Sequence, residues 1–172
     1  MNKNLIKDIE YIYPSISFDD LVSNFNMLND FEDRYSYIIE LGQKLPILPD
    51  FIKTDQYKVE GCMSQVWMIK GNFKSFNDRF AFAADSDSSI VKGLIFVLAT
   101  IYTGKKITEL SDINEVSHLE ELGLQDRLSV NRRNGFAAMI DKIRRKQWIY
   151  FFLILLNLFN IWLILSSSGS SL

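Results

Sequence analysis

From residue 17 the apolar side chains fall at helical spacing. Phe18, Leu21, Val22, Phe25 and Leu28 mark one face of an amphipathic helix. Ser17 and Asp20 stand at capping-box spacing, with Asp in place of Glu, and set its start. The preceding residues 1–16 are irregular and close on Pro14. Asn29-Asp30 interrupts the pattern, and Asp30 can cap a second helix carrying Phe31, Tyr35, Ile38, Ile39 and Leu45. Pro46 and Pro49 end it, so an α-hairpin is predicted. Between about Tyr57 and Ala84 the period changes. Strands are predicted at 57–60, 65–71 and about 75–84, with Asn72 in the second turn and Phe76, Phe80 and Phe82 sharing one parity in the third. Short turns make these a three-stranded antiparallel meander.

Asp85-Ser86-Asp87 closes the sheet and is expected to cap a long helix. Ile90, Leu94, Val97, Leu98 and Ile101 form that helix's apolar face, and Gly104 suits its C′ position. The face predicts packing on the sheet. Gly93, inside it, sacrifices about 1 kcal/mol of propensity relative to alanine. A close approach to a strand would account for it. Short helical pieces are expected around Ile113 and Leu119. A last helix begins at Asn131 or Arg132, with Phe136, Met139, Ile140 and Ile143 on its apolar face. Arg144-Arg145-Lys146 near its end suit the helix dipole. The class expected is therefore α+β.

Composition then changes abruptly. Trp148 to Leu165 reads WIYFFLILLNLFNIWLIL, uncharged and polar only at Asn157 and Asn160. As a helix it would extend roughly 27 Å, close to the hydrocarbon thickness of a bilayer. It is apolar all round, unlike a surface helix. The chain divides into a domain at 1–147 and an apolar tail at 148–172. Two readings of the tail stand level: a C-terminal membrane anchor flanked by Lys142, Arg144, Arg145 and Lys146, or an accidental extension from a reading-frame change. Core packing ranks third.

With 172 residues the chain suits one domain with a real core. Nineteen basic and 21 acidic side chains leave a net charge of −2, without a basic stripe, which argues against nucleic acid as a partner. The N-terminus has acids at Asp8 and Glu10 and no long apolar run, unlike a signal peptide. One cysteine cannot form an internal disulfide. With one histidine it cannot alone build a structural zinc site or hold an iron–sulfur cluster. A reducing, cytoplasmic location is the simplest reading, with membrane tethering added if the tail is an anchor.

Cys62 is the sharp chemical feature. It follows Gly61, whose freedom suits a tight turn between Tyr57-Lys58-Val59 and the strand from Gln65, at the tip of a predicted hairpin. A thiol there is either a nucleophile that accepts and passes on a group, or an inert loop residue. Ser64 and Gln65 place polar groups beside it, neither of them a general base. His118 is the sole histidine, in a sequence typical of a helix start, so a Cys62–His118 dyad is the minor reading. Asp85 and Asp87 are read as caps ahead of metal ligands. Arg132-Arg133 either pairs with carboxylates or is solvated.

At these residues a family resemblance emerges. Val59-Glu60-Gly61-Cys62-Met63-Ser64-Gln65-Val66-Trp67 resembles the active-site loop of the SufE family of cysteine desulfuration proteins. Ala84-Asp85-Ser86-Asp87 with Ile90-Val91-Lys92-Gly93-Leu94 resembles that family's second motif. Leu122-Gly123-Leu124, Leu128-Ser129, Arg132 and Asn134-Gly135 resemble its third. The match covers roughly residues 15–146, with the motifs in the family's order. Val130 replaces the proline usual in Leu-Ser-Pro, Arg127 stands where histidine is common, and the 148–165 run lies outside the pattern.

The resemblance implies a compact domain with a small antiparallel sheet covered by helices on one side, shared with iron–sulfur scaffolds of the IscU type. It also implies sulfur acceptance as a persulfide on Cys62, from a cysteine desulfurase that the protein stimulates. The chain would then be an accessory of sulfur transfer rather than a stand-alone enzyme. Gly61, Ser64, Gln65, Asp85 and Arg132 would serve partner binding. A downstream iron–sulfur scaffold would receive the sulfur. The chain would need no metal or cofactor of its own, pyridoxal phosphate belonging to the desulfurase. In the free protein the cysteine would be tucked against apolar residues, with Trp67 and Met63 as candidates. The alternative from another class is an adaptor module with an incidental thiol. An iron–sulfur scaffold lacks the needed cysteines, and a thiol hydrolase or peroxidase ranks below both.

Overall fold

The structure is a computed structural model, and it describes residues 9–71 and 79–145. The two N-terminal helices form as their caps dictate. α1 spans Phe18–Met27 behind Ser17, whose hydroxyl accepts the Asp20 N–H while the Asp20 carboxylate accepts the Ser17 N–H, a complete capping box. α2 spans Phe31–Gly42, with the Asp30 carboxylate accepting the Asp33 N–H. Two 3₁₀ turns, Asp50–Ile52 and Asp55–Tyr57, lead into the sheet.

Among the described residues the sheet has two strands, β1 (Val66–Lys70) and β2 (Phe82–Ser86). They pair antiparallel from Val66 opposite Ser86 to Lys70 opposite Phe82. The expected strand at 57–60 reduces to a single bridge, Lys58 with Trp67, beside a bond from the Val59 N–H to the Val66 carbonyl. Its first residue lies in a 3₁₀ turn, and the Tyr57 and Lys58 carbonyls are taken by the Lys142 ammonium instead of a ladder. The strand expected at 75–84 is observed at 82–86, so Asp85 and Ser86 belong to it rather than close it. The start of that expected strand lies outside the described residues, as does the 148–165 run. No helix among the described residues is long and apolar enough to cross a membrane.

The period-2 alternation sorts the sheet's side chains onto two cores. Val66, Met68, Phe82 and Ala84 join the main core under the helices. Ile69 and Ala83, with Trp67 against them, join a smaller one made with Ile9, Leu48 and Ile52. The sheet is thus covered on both faces, by helices on one and by irregular chain on the other. The segment before α1 is tied in by the Ile12 N–H donating to the Phe82 carbonyl and the Thr103 hydroxyl donating to the Ile12 carbonyl.

α3 (Ser89–Tyr102) is the centre of the main core. Ten of its 14 residues are buried, so it is a core helix rather than one with a single apolar face. Gly104 follows its C-cap with φ of 84°, as a C′ residue does. Gly93 does mark a close approach, but to a helix and not to a strand. A Cβ there would lie 2.1 Å from the Ile38 carbonyl oxygen of α2. After a 3₁₀ turn at Ile107–Glu109 comes α4 (Glu115–Glu121), capped by Asn114; Ile113 stays in the loop. α5 (Val130–Arg144) buries Phe136, Met139 and Ile143. Val130 occupies its first helical position, where proline and valine are both accommodated because the N–H has no helical partner. Arg127 stacks its guanidinium 5.8 Å above the Phe31 ring.

Candidate functional site

Cys62 sits in the turn between the Lys58–Trp67 bridge and β1. Gly61 makes that turn with φ of 88°, a conformation side chains resist. The turn does not project freely into solvent. It folds onto α5, where the Cys62 thiol donates to the Gly135 carbonyl at 3.4 Å. The side chain is half-buried against the main core, and desolvation pushes its pKa above the ordinary thiol value. The resting sulfur is therefore held as a neutral thiol at neutral pH.

The thiol opens into a cavity of about 410 Å³. Val91 and Leu94 of α3 and Phe136 and Met139 of α5 form its apolar wall, and Ser64, Ser88, Ser129, Asn131 and Arg132 supply polar groups. Among the described residues no carboxylate and no imidazole lines it. The tuck expected against Trp67 is corrected here, because Trp67 points through the pleat into the smaller core. Met63, though 79% exposed, does line the cavity with Cys62. The alternation that puts Val66 and Met68 under the helices necessarily sends Trp67 the other way.

Arg132 is not simply solvated. From the first turn of α5 it donates to the Tyr35 hydroxyl at 2.9 Å and stacks over that ring at 5.4 Å. This fixes its guanidinium at the rim of the cysteine cavity. Gln65 sits just outside the cavity. Its N–H donates to the Asp87 carboxylate at 3.0 Å and its carbonyl accepts from the Ser86 hydroxyl at 2.8 Å. These bonds splice the cysteine turn to the end of β2.

Asp85 and Asp87 are not helix caps: Ser88 holds the N-cap position of α3 without a side-chain bond, and both carboxylates are engaged elsewhere. Asp85 faces a second cleft, of about 460 Å³, with Trp67, Gln43 and Ser89. Its carboxylate lies between Lys53 Nζ at 3.0 Å and Lys92 Nζ at 2.9 Å. Burial alone would raise its pKa, but hydrogen bonds from Lys92, Lys53 and the Ser86 N–H outweigh that, and the carboxyl is lowered. Hydrogen bonding to Asp85 in turn raises Lys53. With one ammonium on each oxygen, this carboxylate is occupied as an ion-pair centre.

Cys62, Ser64 and Arg132 thus share one cavity with Gly61 in its turn, while Gln65 and Asp85 lie outside it. α3 separates the two clefts, with Lys92 and Ser89 on one side and Val91 and Leu94 on the other. His118 is remote from the thiol cavity. Its Nδ1 lies 2.6 Å from the Asn114 carbonyl and its ring packs edge-on against Phe18. Lys53, Lys92, Tyr35 and Gly135 carry no site role in the sequence reading, where Tyr35 stands only on a helix face and Lys92 and Gly135 only inside motifs. For Gly135 a signal existed: a glycine in the middle of a helical pattern, with no turn to justify it.

This is an α+β fold with a lone thiol on a glycine turn beneath α5, and comparison with known proteins gives its family. The family model described as SufE, Fe-S metabolism associated domain, matches residues 19–147. An uncharacterised SufE-like protein of Rhizobium meliloti is 37% identical over 129 residues, covering 74% of this chain and 92% of the relative. Another, of Rhizobium etli, is 37% identical over 131 residues, covering 76% and 88%. The sulfur acceptor protein CsdE of Escherichia coli is 35% identical over 129 residues, covering 75% and 86%. The chain belongs to the SufE family.

Proposed function

We propose that this protein accepts sulfur on Cys62 as a persulfide, drawing it from a cysteine desulfurase whose turnover it stimulates. It then hands the sulfur to a scaffold that assembles iron–sulfur clusters. The observation that carries this reading is the seat of the thiol: a single cysteine on a left-handed glycine turn, held neutral in a cavity that no carboxylate or imidazole lines among the described residues. The Escherichia coli relative is itself named a sulfur acceptor. A hydrolase would need an imidazole or carboxylate at the thiol, whereas thiol exchange needs only an ionised thiolate and access.

The transfer balances as a simple exchange. The Cys62 thiolate attacks the outer sulfur of the donor's persulfide. A bond forms from Cys62 Sγ to that sulfur, the donor's S–S bond breaks, and its electron pair leaves on the donor thiolate. The proton of the terminal S–H travels with the transferred sulfur, and nothing is oxidised or reduced overall. Burial that raises the thiol pKa makes the resting state unreactive, so exchange requires the turn to leave its seat. Docking on the desulfurase would supply that movement, ionising the thiol where the donor waits. The apolar wall of the cavity would then shield the returning persulfide from reductants.

In the same reading Gly61 is the hinge, Ser64 and Gln65 hold the stem of the turn, and Arg132 and Asp85 meet the desulfurase. Arg132 is pre-oriented by Tyr35 and Asp85 by its two lysines, so neither needs ordering on docking. The test is a sulfide-release assay with a desulfurase and cysteine. Cys62→Ser is expected to bind the enzyme and give no stimulation. A serine variant that stimulates as well as wild type would overturn thiol chemistry as the mechanism.

A further inference from the structure

α5 does more than supply one carbonyl to the thiol. Three of its residues at helical spacing, Gly135, Ala138 and Lys142, meet the cysteine turn along its length. At Gly135 the bare backbone receives the thiol, and a Cβ there would stand 3.4 Å from Cys62 Sγ and 3.9 Å from Cys62 Cβ. At Ala138 the methyl group would lie 3.5 Å from a Cβ placed on Gly61. At Lys142 the ammonium donates to the Tyr57 carbonyl at 2.7 Å and to the Lys58 carbonyl. The base of the turn is thereby clamped to the helix by a cation, while its tip rests on a position with no side chain.

We propose that Gly135 is the positioning residue for sulfur transfer, the seat that lets the Cys62 thiol withdraw under α5, and that Lys142 pins the base so that only the tip beyond Gly61 moves. This deepens the sulfur-acceptor reading and rests on it for its functional half. The physical half stands apart: a methyl carbon 3.4 Å from sulfur is at the close edge of ordinary contact, so a side chain at 135 presses on the seated thiol, which must give by a few tenths of an ångström. Glycine inside a helix is otherwise unfavourable against alanine. Its place in α5 is accounted for by what it makes room for.

The experiment uses the full chain, whose single cysteine makes alkylation unambiguous. Gly135→Ala is expected to raise the rate of Cys62 alkylation by iodoacetamide at pH 7 by roughly twofold or more. The rate–pH profile should shift to lower pH, because an unseated thiol loses the desolvation that raises its pKa. A merely structural effect on the helix would not move that profile. An unchanged rate and profile would overturn the seat. A double-mutant cycle on the thermal midpoint provides the second check. In a Cys62→Ala background Gly135→Ala should be neutral or stabilising, since the 3.9 Å carbon pair is an ordinary contact. Equal effects of Gly135→Ala in the two backgrounds would show that the residues do not compete, and would overturn the proposal. Titration against the desulfurase separates the two halves. A lowered half-saturation point supports the functional role. Faster alkylation with no change in that titration would retire the functional half and leave the seat standing.

Discussion

Gly93→Ala is the substitution that most directly tests how the core holds the site. The added Cβ would fall 2.1 Å from the Ile38 carbonyl oxygen and 2.2 Å from its Cγ2. Ordinary contact needs well over 3 Å, and a backbone carbonyl within α2 cannot rotate away. The two helices must therefore part by about 1 Å, and overpacking of this kind costs roughly 1–3 kcal/mol. The gap opened elsewhere along the contact forfeits about a quarter to a half of its dispersion attraction. Against this, alanine gains about 1 kcal/mol of helix propensity. The clash with a backbone carbonyl belongs at the upper end of the overpacking range, so less the propensity gain the net expectation is a loss of about 2 kcal/mol, a sizeable fraction of the roughly 5–15 kcal/mol typical of a domain. Urea denaturation should show a lower midpoint with an unchanged slope. Because Lys92 and Leu94 flank Gly93 and face the two clefts, the same variant should expose Cys62 to alkylation. A midpoint equal to wild type would refute the helix contact. Gly42→Ala probes the same contact from α2, its Cβ meeting the Gly93 nitrogen at 2.6 Å.

Arg132→Ala removes a bond and a ring contact to Tyr35, so a stability loss of about 1 kcal/mol is expected, with the domain still folded. Its half-saturation point with the desulfurase should rise about fivefold or more, and an unchanged value would remove the docking role. Asp85→Asn should destabilise by about 1–2 kcal/mol at pH 7, a moderate figure because Lys92 is substantially exposed. The folded pKa of Asp85 is lowered from 3.8, so its contribution is present above that value and lost as pH falls through the folded pKa. Wild type and variant should converge in stability once the pH has fallen below the folded pKa of Asp85, and a gap that persists there would contradict the ion pairing.

What was legible in the sequence was local. The Ser17–Asp20 box, the Asp30 cap and the Gly104 C′ position each depend on residues within a few positions, and each forms as expected. The glycine-turn setting of Cys62 was legible for the same reason, and the three ordered motifs carried the family. Several of the departures are long-range. The strand expected at 57–60 yields most of its pairing to Lys142, 85 positions from Tyr57. Asp85 looked like a cap because its lysine partners, one of them Lys53 far upstream, leave no periodic trace. Gly93 was rightly read as a contact point, but nothing local distinguishes a neighbouring strand from a neighbouring helix. The thiol's seat lies 73 positions from Cys62 and could not be placed before the fold was known.

The central claim is that sulfur arrives on Cys62. Mass spectrometry of the intact protein, after incubation with a desulfurase and cysteine and gel filtration without reductant, reads it directly. The expected result is a gain of one sulfur atom, localised to the peptide carrying Cys62, removed by dithiothreitol and absent from Cys62→Ser. A protein that accelerates the desulfurase while its only cysteine gains no sulfur would contradict it.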